Sequence, residues 1–531
     1  VVQLVSRLPE FDGDGNSIRR DIAIGIDSAN LQKSVRGTVD FGNRALAASV
    51  SAGYLETGDR RVGDGTRIKP SNFESRSFRA VVRGQPDNRR RWYFDTQFLE
   101  QPETPRVDEL VPGFGQSEPS SEEFFFSPSA RSFAHFRYEH EAGWFDADWR
   151  FDTAWQRIDD DRSSRDLGSN ERRLENNRSD LFGLTLSASG GNERSWITGV
   201  DFYYDEVSSA RFSQDVSTGT MTEIAARFPD GSTVTQGAVF ASMDWHGATR
   251  ITFTGGLRLS SASIDLPASF GGEHIDVSRL SGDLGWLYDL SAGWRLVANV
   301  GVGFRAPNIF DLGTLGDRPG NRFNVPNTNL DVEEALHSDI GVRFRGERVE
   351  FDFAIFALRY DNRITSVGTG DVTPGGRDIV QSVNAADAQL RGAELGINVA
   401  LSDALRIESL LNYVRGEQAV GNVVEPADRV PPLNGRVSLF VDHSDRITWS
   451  ARIQGAAAQD RLAARDIRDV RIDPNGTPGW IIASLSADWH NDHGWHLTAA
   501  VENLFDKRFR QHGSGIDAAG RNVSLTVRRK W

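Results

Sequence analysis

The chain has no cysteine and only 2 methionines in 531 residues. Without cysteine there are no disulfides and no thiolate metal sites. Also missing is any run of about 18 uncharged apolar residues, so no transmembrane helix is predicted. No basic start followed by an apolar core precedes the sequence at Val1, so no signal peptide is read there. Basic residues are outnumbered, 60 Lys and Arg against 74 Asp and Glu, for a net charge of −14. A nucleic-acid binder carries a basic stripe, so no nucleic-acid partner is expected. There is no P-loop and no dinucleotide fingerprint. His512-Gly513-Ser514-Gly515 lacks the G-x-S-x-G spacing of a nucleophile elbow. No catalytic residue, no metal site and no cofactor is predicted, and the chain does not read as an enzyme.

What is present is glycine (52), phenylalanine (31) and tryptophan (13) at a modest overall apolar content of 38%. These are arranged with a period of two. Trp294, Leu296, Ala298, Val300, Val302 and Phe304 share one face, with Arg295, Asn299, Gly301 and Gly303 on the other. Phe351, Phe353, Ile355 and Ala357 alternate with Glu350, Asp352, Ala354 and Phe356. From 144 to 157, Phe145, Ala147, Trp149, Phe151 and Trp155 alternate with Asp146, Asp148, Arg150, Asp152 and Gln156. A strand separates such sets onto two faces, whereas a helix would mix them. Segments of this kind are long enough for a tilted strand to cross a bilayer.

The predicted fold class is all-β: a transmembrane antiparallel β-barrel of about 22 strands running from 18–28 to 521–531. Strands at 131–140, 144–157, 178–189, 194–207 and 348–360 lie between these ends. Alternating apolar residues then face lipid while their neighbours face a wet lumen, which reconciles low apolar content with a membrane protein. Connections alternate between short turns, such as Glu141-Ala142-Gly143 and Arg345-Gly346-Glu347, and long polar loops near 102–130, 158–177, 208–234, 305–333, 361–378, 460–476 and 503–520. That asymmetry predicts periplasmic turns and extracellular loops. The chain closes on Val523, Leu525, Val527 and Trp531, an apolar face ending in an aromatic; Arg529 shares this face and can snorkel near the membrane edge.

Three stretches resemble the TonB-dependent outer-membrane receptor family. Gly303-Phe304-Arg305-Ala306-Pro307, followed by Asn327-Thr328-Asn329-Leu330-Asp331-Val332-Glu333, is similar to the family's GFRAP and NPNLxPE segments. Val501-Glu502-Asn503-Leu504-Phe505-Asp506-Lys507 resembles its NLFDK segment. The strand ending at Trp531 resembles its C-terminal strand, which implies recognition by the outer-membrane insertion machinery. The resemblance implies a cell outer membrane of a Gram-negative-type bacterium, contact with outer-membrane lipid, a small-molecule ligand, and energy from the TonB complex. Family members also carry an N-terminal plug. Residues 1–17 read as a remnant of the last plug strand and the plug-to-barrel linker, with the barrel at 18–531, so TonB coupling is expected through an N-terminal region missing here.

Ligand contact is expected at Arg305, whose guanidinium at the mouth would meet an anionic group. It is also expected at Phe124, Phe125 and Phe126, read as aromatics of an external loop; the plainer account of these rings is packing or an aromatic girdle. Asn308 to Val325 contains no histidine and Thr328 replaces a proline, which weighs against haem. His490, His493 and His496 are spaced wrongly for one metal. Asp12, Asp14 and Asn16 begin like a calcium loop but lack its glycine and closing glutamate. The Asp159-Asp160-Asp161 run is expected to be solvated loop charge. The leading expectation is uptake of a scarce nutrient, with a metal–siderophore complex as default substrate. Alternatives are a passive outer-membrane pore or surface-interaction barrel, and a soluble all-β carbohydrate-binding or hydrolytic protein.

Overall fold

A computed structural model describes residues 7–191, 194–248, 250–270, 272–312, 316–318, 322–421 and 423–531. Among them, 22 antiparallel strands form one closed wall. The first five are β1 (Ser17–Asp27), β2 (Lys33–Gly42), β3 (Leu46–Glu56), β4 (Glu74–Gly84) and β5 (Arg90–Gln101). Longer strands follow: β6 (Ser121–His140), β7 (Asp148–Asp166), β8 (Glu171–Gly190), β9 (Arg194–Asp215), β10 (Ser232–Ala248), β11 (Ile251–Asp265) and β12 (His274–Ser291). Then come β13 (Trp294–Arg305), β14 (Glu333–Arg345), β15 (Val349–Val372), β16 (Asp378–Ser402) and β17 (Leu405–Val420). The last five are β18 (Asn434–Ser444), β19 (Ile447–Ala456), β20 (Trp480–His490), β21 (Trp495–Glu502) and β22 (Asn522–Lys530). Each strand pairs with its sequence neighbour in the wall. β1 closes on β22, with Asp21 opposite Lys530 and Asp27 opposite Ser524. Trp531 extends the seam by exchanging two backbone hydrogen bonds with Arg20, at 2.8 and 3.0 Å.

The two faces separate as the period of two requires. Val300, Val302, Phe353 and Ile355 are 39–48% exposed on the outside, where lipid covers them. Inside, Arg345 pairs with Asp352 at 2.8 Å and Asn299 donates to Asp339 at 2.9 Å. Arg529 keeps its place on the outer face between two rings, 4.9 Å from the Trp495 centroid and 5.2 Å from that of Trp531. Its charge is held at the membrane rim by cation–π contact.

Several strands run further than the apolar alternation. β6 begins at Ser121, not near 131, and β7 continues to Asp166; the predicted loop 158–177 shrinks to a turn at 167–170. Phe124, Phe125 and Phe126 are therefore strand residues, and so is the Asp159-Asp160-Asp161 run. The reason lies on the outer face of these extensions. Arg157 pairs with Asp180 at 2.9 Å, Asp159 with Arg178 at 2.8 Å, and Glu123 with Arg172 at 2.7 Å. Above the bilayer both faces meet water, so the backbone ladder continues while the polarity signal stops. At the opposite end, Phe145 does not start a strand. It sits at φ 60° in the turn ahead of β7 and is 96% exposed.

The segment 7–12 lies along the inner wall of β1–β4. Arg7 pairs with Asp40 at 2.9 Å, Arg79 donates to the Arg7 carbonyl at 2.9 Å, and Arg83 donates to the Pro9 carbonyl. Phe11 is buried beneath the Arg19 guanidinium, 4.3 Å away. Residues 1–6 of the expected linker lie outside the described residues.

Candidate functional site

The extracellular mouth is built from three parts. The first is a column of rings and guanidiniums on the inner face of β6. β7 fixes which face is inward, because Asp152, Gln156, Asp160 and Arg162 share one side of a continuous strand. Asp152 accepts from Arg137 and His135, both at 2.7 Å, and Arg131 donates to Gln156 at 2.7 Å, so Arg131, His135 and Arg137 of β6 face the lumen. From Ser129 to His140 the inward residues of β6 are thus odd-numbered. Between Phe126 and Ser129 the register slips, since three steps on β6 span two on β7. A bulge of one residue inverts the parity above it. Phe126 then lies opposite Arg162 and Phe124 opposite Ser164, both on the inner face, while Phe125 points outward.

The contacts within this column are ring to cation. Arg106 lies 4.9 Å from the Phe124 centroid, Arg162 lies 5.0 Å from Phe126, and Arg131 lies 4.6 Å from Phe133. Phe124 and Phe126 are 6.1 Å apart, and His135 lies 6.0 Å from Phe133 and 5.2 Å from Tyr93. Next to the upper rings, buried Glu175 is shared by Arg211 at 3.3 Å and Arg227 at 3.1 Å, while Arg162 pairs with Asp160 at 2.5 Å and Arg106 with Glu109 at 3.2 Å. Sequence reading picked out Phe124 and Phe126 but not Arg106, Arg131, Phe133, Arg162, Arg211 or Arg227. Their placement depends on the bulge and on cross-strand partners, neither of which the local pattern announces.

The second part is a cap. From Arg305 the chain enters the loop 306–332, which tucks Ile309, Leu312, Leu330 and Val332 against Ala262, Ile264, Leu266, Ile275 and Val277. Phe304 and Ala306 of the predicted motif pack on this cluster. Each buried aliphatic side chain contributes roughly 1.5–3 kcal/mol. Arg305 is clamped by Asp311 at 2.5 Å and Glu333 at 2.6 Å. Burial pushes the Glu333 carboxyl up, but hydrogen bonds from Arg305 and the Ile364 amide outweigh it, so Glu333 titrates below the usual range. Beyond Pro307, Asn308 and Asp311 exchange hydrogen bonds at 3.0 and 2.9 Å. Arg305 thus fastens the loop to two strands while remaining 43% exposed in its side chain.

The third part is a lattice of loops over β18–β22 and β1–β5. Asn503 is 2% exposed at φ 47°, and its side chain donates to the Lys507 and Ala519 carbonyls while accepting from the Lys507 amide. Asp506 accepts from the Arg521 amide at 2.6 Å and pairs with Arg61 at 3.2 Å. A Cβ on Gly520 would come within 2.6–2.7 Å of Asp506 and Val62, so only glycine fits there. Leu504 bonds through its amide to Ala483, and Phe505 projects outward, 78% exposed. The structure gives the Asn503-Leu504-Phe505-Asp506 motif the geometry of a knot tying loop 503–521 to loop 57–73. Arg508 bridges Asp64 at 2.8 Å and Asp517 at 2.7 Å; Arg471 reaches Asp469 at 2.8 Å and Asp108 at 3.5 Å. Among the described residues no group of three or more His, Cys, Asp or Glu is placed to hold a metal ion. His490 and His496 stack on each other at the turn end of the wall, 5.8 Å apart.

Residues 33–504 match the family model described as TonB dependent receptor-like, beta-barrel. Over 283 residues the chain is 26% identical to the ferric enterobactin receptor PirA of Pseudomonas aeruginosa, a match covering 50% of this chain and 36% of that protein. Over 309 residues it is 22% identical to an iron-regulated outer membrane virulence protein of Vibrio cholerae, covering 55% and 44%. The chain thus spans less than half the length of these curated relatives. Among solved structures that share its fold are two transporters. The copper transporter OprC superposes with a TM-score of 0.83 at 18% identity, covering 99% of this chain and 82% of that one. The ferric yersiniabactin uptake receptor FyuA of Yersinia pestis superposes with a TM-score of 0.72 at 16% identity, covering 99% and 81%.

Proposed function

The chain belongs to the TonB-dependent receptor family, and from that premise we propose that it imports a scarce nutrient with energy passed from TonB, the nutrient being a metal–siderophore complex. Its barrel resides in the outer membrane, and the family consists of receptors and transporters, not enzymes. A soluble carbohydrate-binding or hydrolytic reading does not survive the closed wall with an apolar outer band.

The observation that supports the ligand class is the inward surface of Arg106, Arg162, Arg211 and Arg227 beside Phe124 and Phe126. Guanidiniums bind carboxylate and catecholate oxygens through charge-assisted hydrogen bonds, and rings stack on planar ligand groups. Arg305 belongs to this rim, with part of its guanidinium edge open beside its two carboxylate partners. Iron-related names among the relatives point the same way. A bare soft ion such as copper would call for thioether or thiolate donors. The chain has no cysteine; Met243 lies on the outer face of β10, and Met221, the other methionine, is a single exposed thioether opposite Gln214.

Uptake of radiolabelled iron chelates by cells carrying the receptor tests this reading. Uptake of an anionic chelate, cut at least about tenfold by Arg106→Gln with Arg162→Gln, is expected. Failure to take up any member of a catecholate, hydroxamate and carboxylate panel overturns it.

A further inference from the structure

We propose that the lipid-facing side of the closing seam is a phospholipid site. Arg20 of β1 and Arg529 of β22 together hold one headgroup phosphodiester of the periplasmic leaflet, which staples the first strand of the wall to the last. The imported nutrient plays no part in it.

The seam carries cations on both faces, and the faces differ in where the anion comes from. On the lumenal face Arg528 donates to Asp21 at 2.8 Å. One residue further on, Arg529 turns to the lipid face, because successive side chains of a strand alternate. Arg20 shares that face. Its backbone exchanges two hydrogen bonds with Trp531, and residues paired in this way stand directly opposite, with side chains on the same side. Arg20 is flanked by Ile18 and Ile22 and stands opposite Val39 of β2, all three exposed toward lipid. Arg529 stands opposite Ile22 and Trp495. Among the described residues no side-chain carboxylate pairs with either guanidinium. Elsewhere at the turn end such cations do find acids, as Arg446 finds Asp492 and Arg295 finds Asp289.

The two arginines are diagonal neighbours across the pairing, about 7–8 Å apart at the backbone, so their long side chains can reach a common group. With nothing between them, two like charges over apolar surface repel. A phosphodiester between them reverses the sign. Guanidiniums bind phosphate oxygens through paired, charge-assisted hydrogen bonds and can stack on aromatic faces while doing so. Arg529 is already set in that way, 4.9 Å from the Trp495 centroid and 5.2 Å from that of Trp531. Trp489 joins these two rings on the exposed rim. Such an aromatic belt lies at headgroup level. The bilayer's phosphates therefore lie at the height of the two cations, and the acyl chains continue over Ile22, Ile24 and Ile26.

The test takes the 531-residue chain folded in maltoside micelles, adds dioleoylphosphatidylglycerol, and follows hydrogen exchange strand by strand. Exchange in 17–27 and 522–530 should slow about tenfold, while β10–β13 should change by less than about twofold. Arg20→Gln with Arg529→Gln should abolish the protection. Arg194→Gln, at a rim arginine of β9 opposite Trp245 and far from the seam, should leave it intact. Dioleoylglycerol has the same chains without the phosphate, and inorganic phosphate has no chains; neither should protect. Protection by dioleoylglycerol would mean that apolar cover alone holds the seam, and protection by inorganic phosphate would mean a free-anion site. Either result overturns the proposal, as does protection that survives the double change or is lost equally in Arg194→Gln. Unchanged heat-shifted gel mobility shows that each variant is folded. If the double variant does not fold, Arg20→Gln alone should cut the protection at least about threefold, and full protection in that variant overturns the site. The comparison of the three additives on the unaltered chain needs no variant.

Discussion

Two sides of this barrel rise above the membrane by different means. On the side of β6–β9 the strands themselves are 19–22 residues long, and β15 and β16 reach 24 and 25. On the side of β18–β22 and β1–β5 no strand exceeds 12 residues, and the upper structure consists of loops locked to one another. The tall side is held by a continuous backbone ladder with paired charges on its surface. The short side depends on a few buried groups: Val62, Asp466 and Ile472 are each 1% exposed. A ladder spreads its stability over many equivalent bonds. A loop lattice concentrates it in a few, so single changes should be felt very differently on the two sides.

The largest effect is expected at Asp466→Ala. Asp466 pairs with Arg429 at 3.2 Å and accepts from its amide. Removing one partner of a buried pair costs about 3–5 kcal/mol. Loops 421–433 and 457–479 should become accessible to protease and hydrogen exchange while gel mobility still reports a closed barrel. Loss of the whole barrel would show that the lattice and the wall are not separable. Next is Val300→Arg on the lipid face, which should cost roughly 2–4 kcal/mol near the midplane and impede refolding into vesicles. Asp352→Asn on the inner face should refold normally, and equal damage at both positions would contradict the assigned facing.

Acid should loosen the short side in two steps. Burial of His512, which bonds to Thr477 at 2.9 Å, pushes its imidazole below the ordinary 6.5. A base with a depressed value favours the folded loop fully above 6.5 and loses that contribution as pH falls from 6.5 through its lowered value. Burial raises the Asp469 carboxyl, but bonds from Arg471 hold it below 3.8, so its contribution is present above 3.8 and is lost only in stronger acid. Hydrogen exchange in loop 503–521 should therefore rise first just below pH 6.5, and His512→Gln should remove that step. The smallest effect is expected for Asp159→Asn on the tall side. Its pair with Arg178 is surface-exposed and worth at most about 1 kcal/mol. Chemical denaturation that moved by more than this would mean the ladder is less redundant than it looks.

The fold was largely legible because the bilayer imposes a two-residue alternation that composition cannot disguise. Val300, Phe353 and Ile355 took the faces their spacing assigned. What sequence reading missed has one cause in β6 to β9 and another in the loops. Hydrophobic alternation reports the membrane, not the strand, so Asp159 and Phe125 were read as loop although the ladder runs through them. In the loops, the controlling contacts join distant positions. Arg471 meets Asp108, 363 residues away. No local pattern ties those two residues together. The candidate site fell between these cases. Phe124 and Phe126 were singled out as aromatics, but their inward aim follows from a register slip that is visible only against β7.

The seam between β1 and β22 bears on timing. Every other wall pairing joins strands close in sequence, and each can form as soon as its hairpin exists. Asp21 and Arg528, whose side chains bond at 2.8 Å, are 507 positions apart. Until residue 530 is in place, the first strand keeps an unpaired edge able to recruit a foreign strand. Closure entropy grows only slowly with loop length, so this wait costs little free energy. Its cost is in exposure: during assembly the wall stays an open sheet until its last strand is placed, so a partner that shields the β1 edge would act on yield without touching the finished seam.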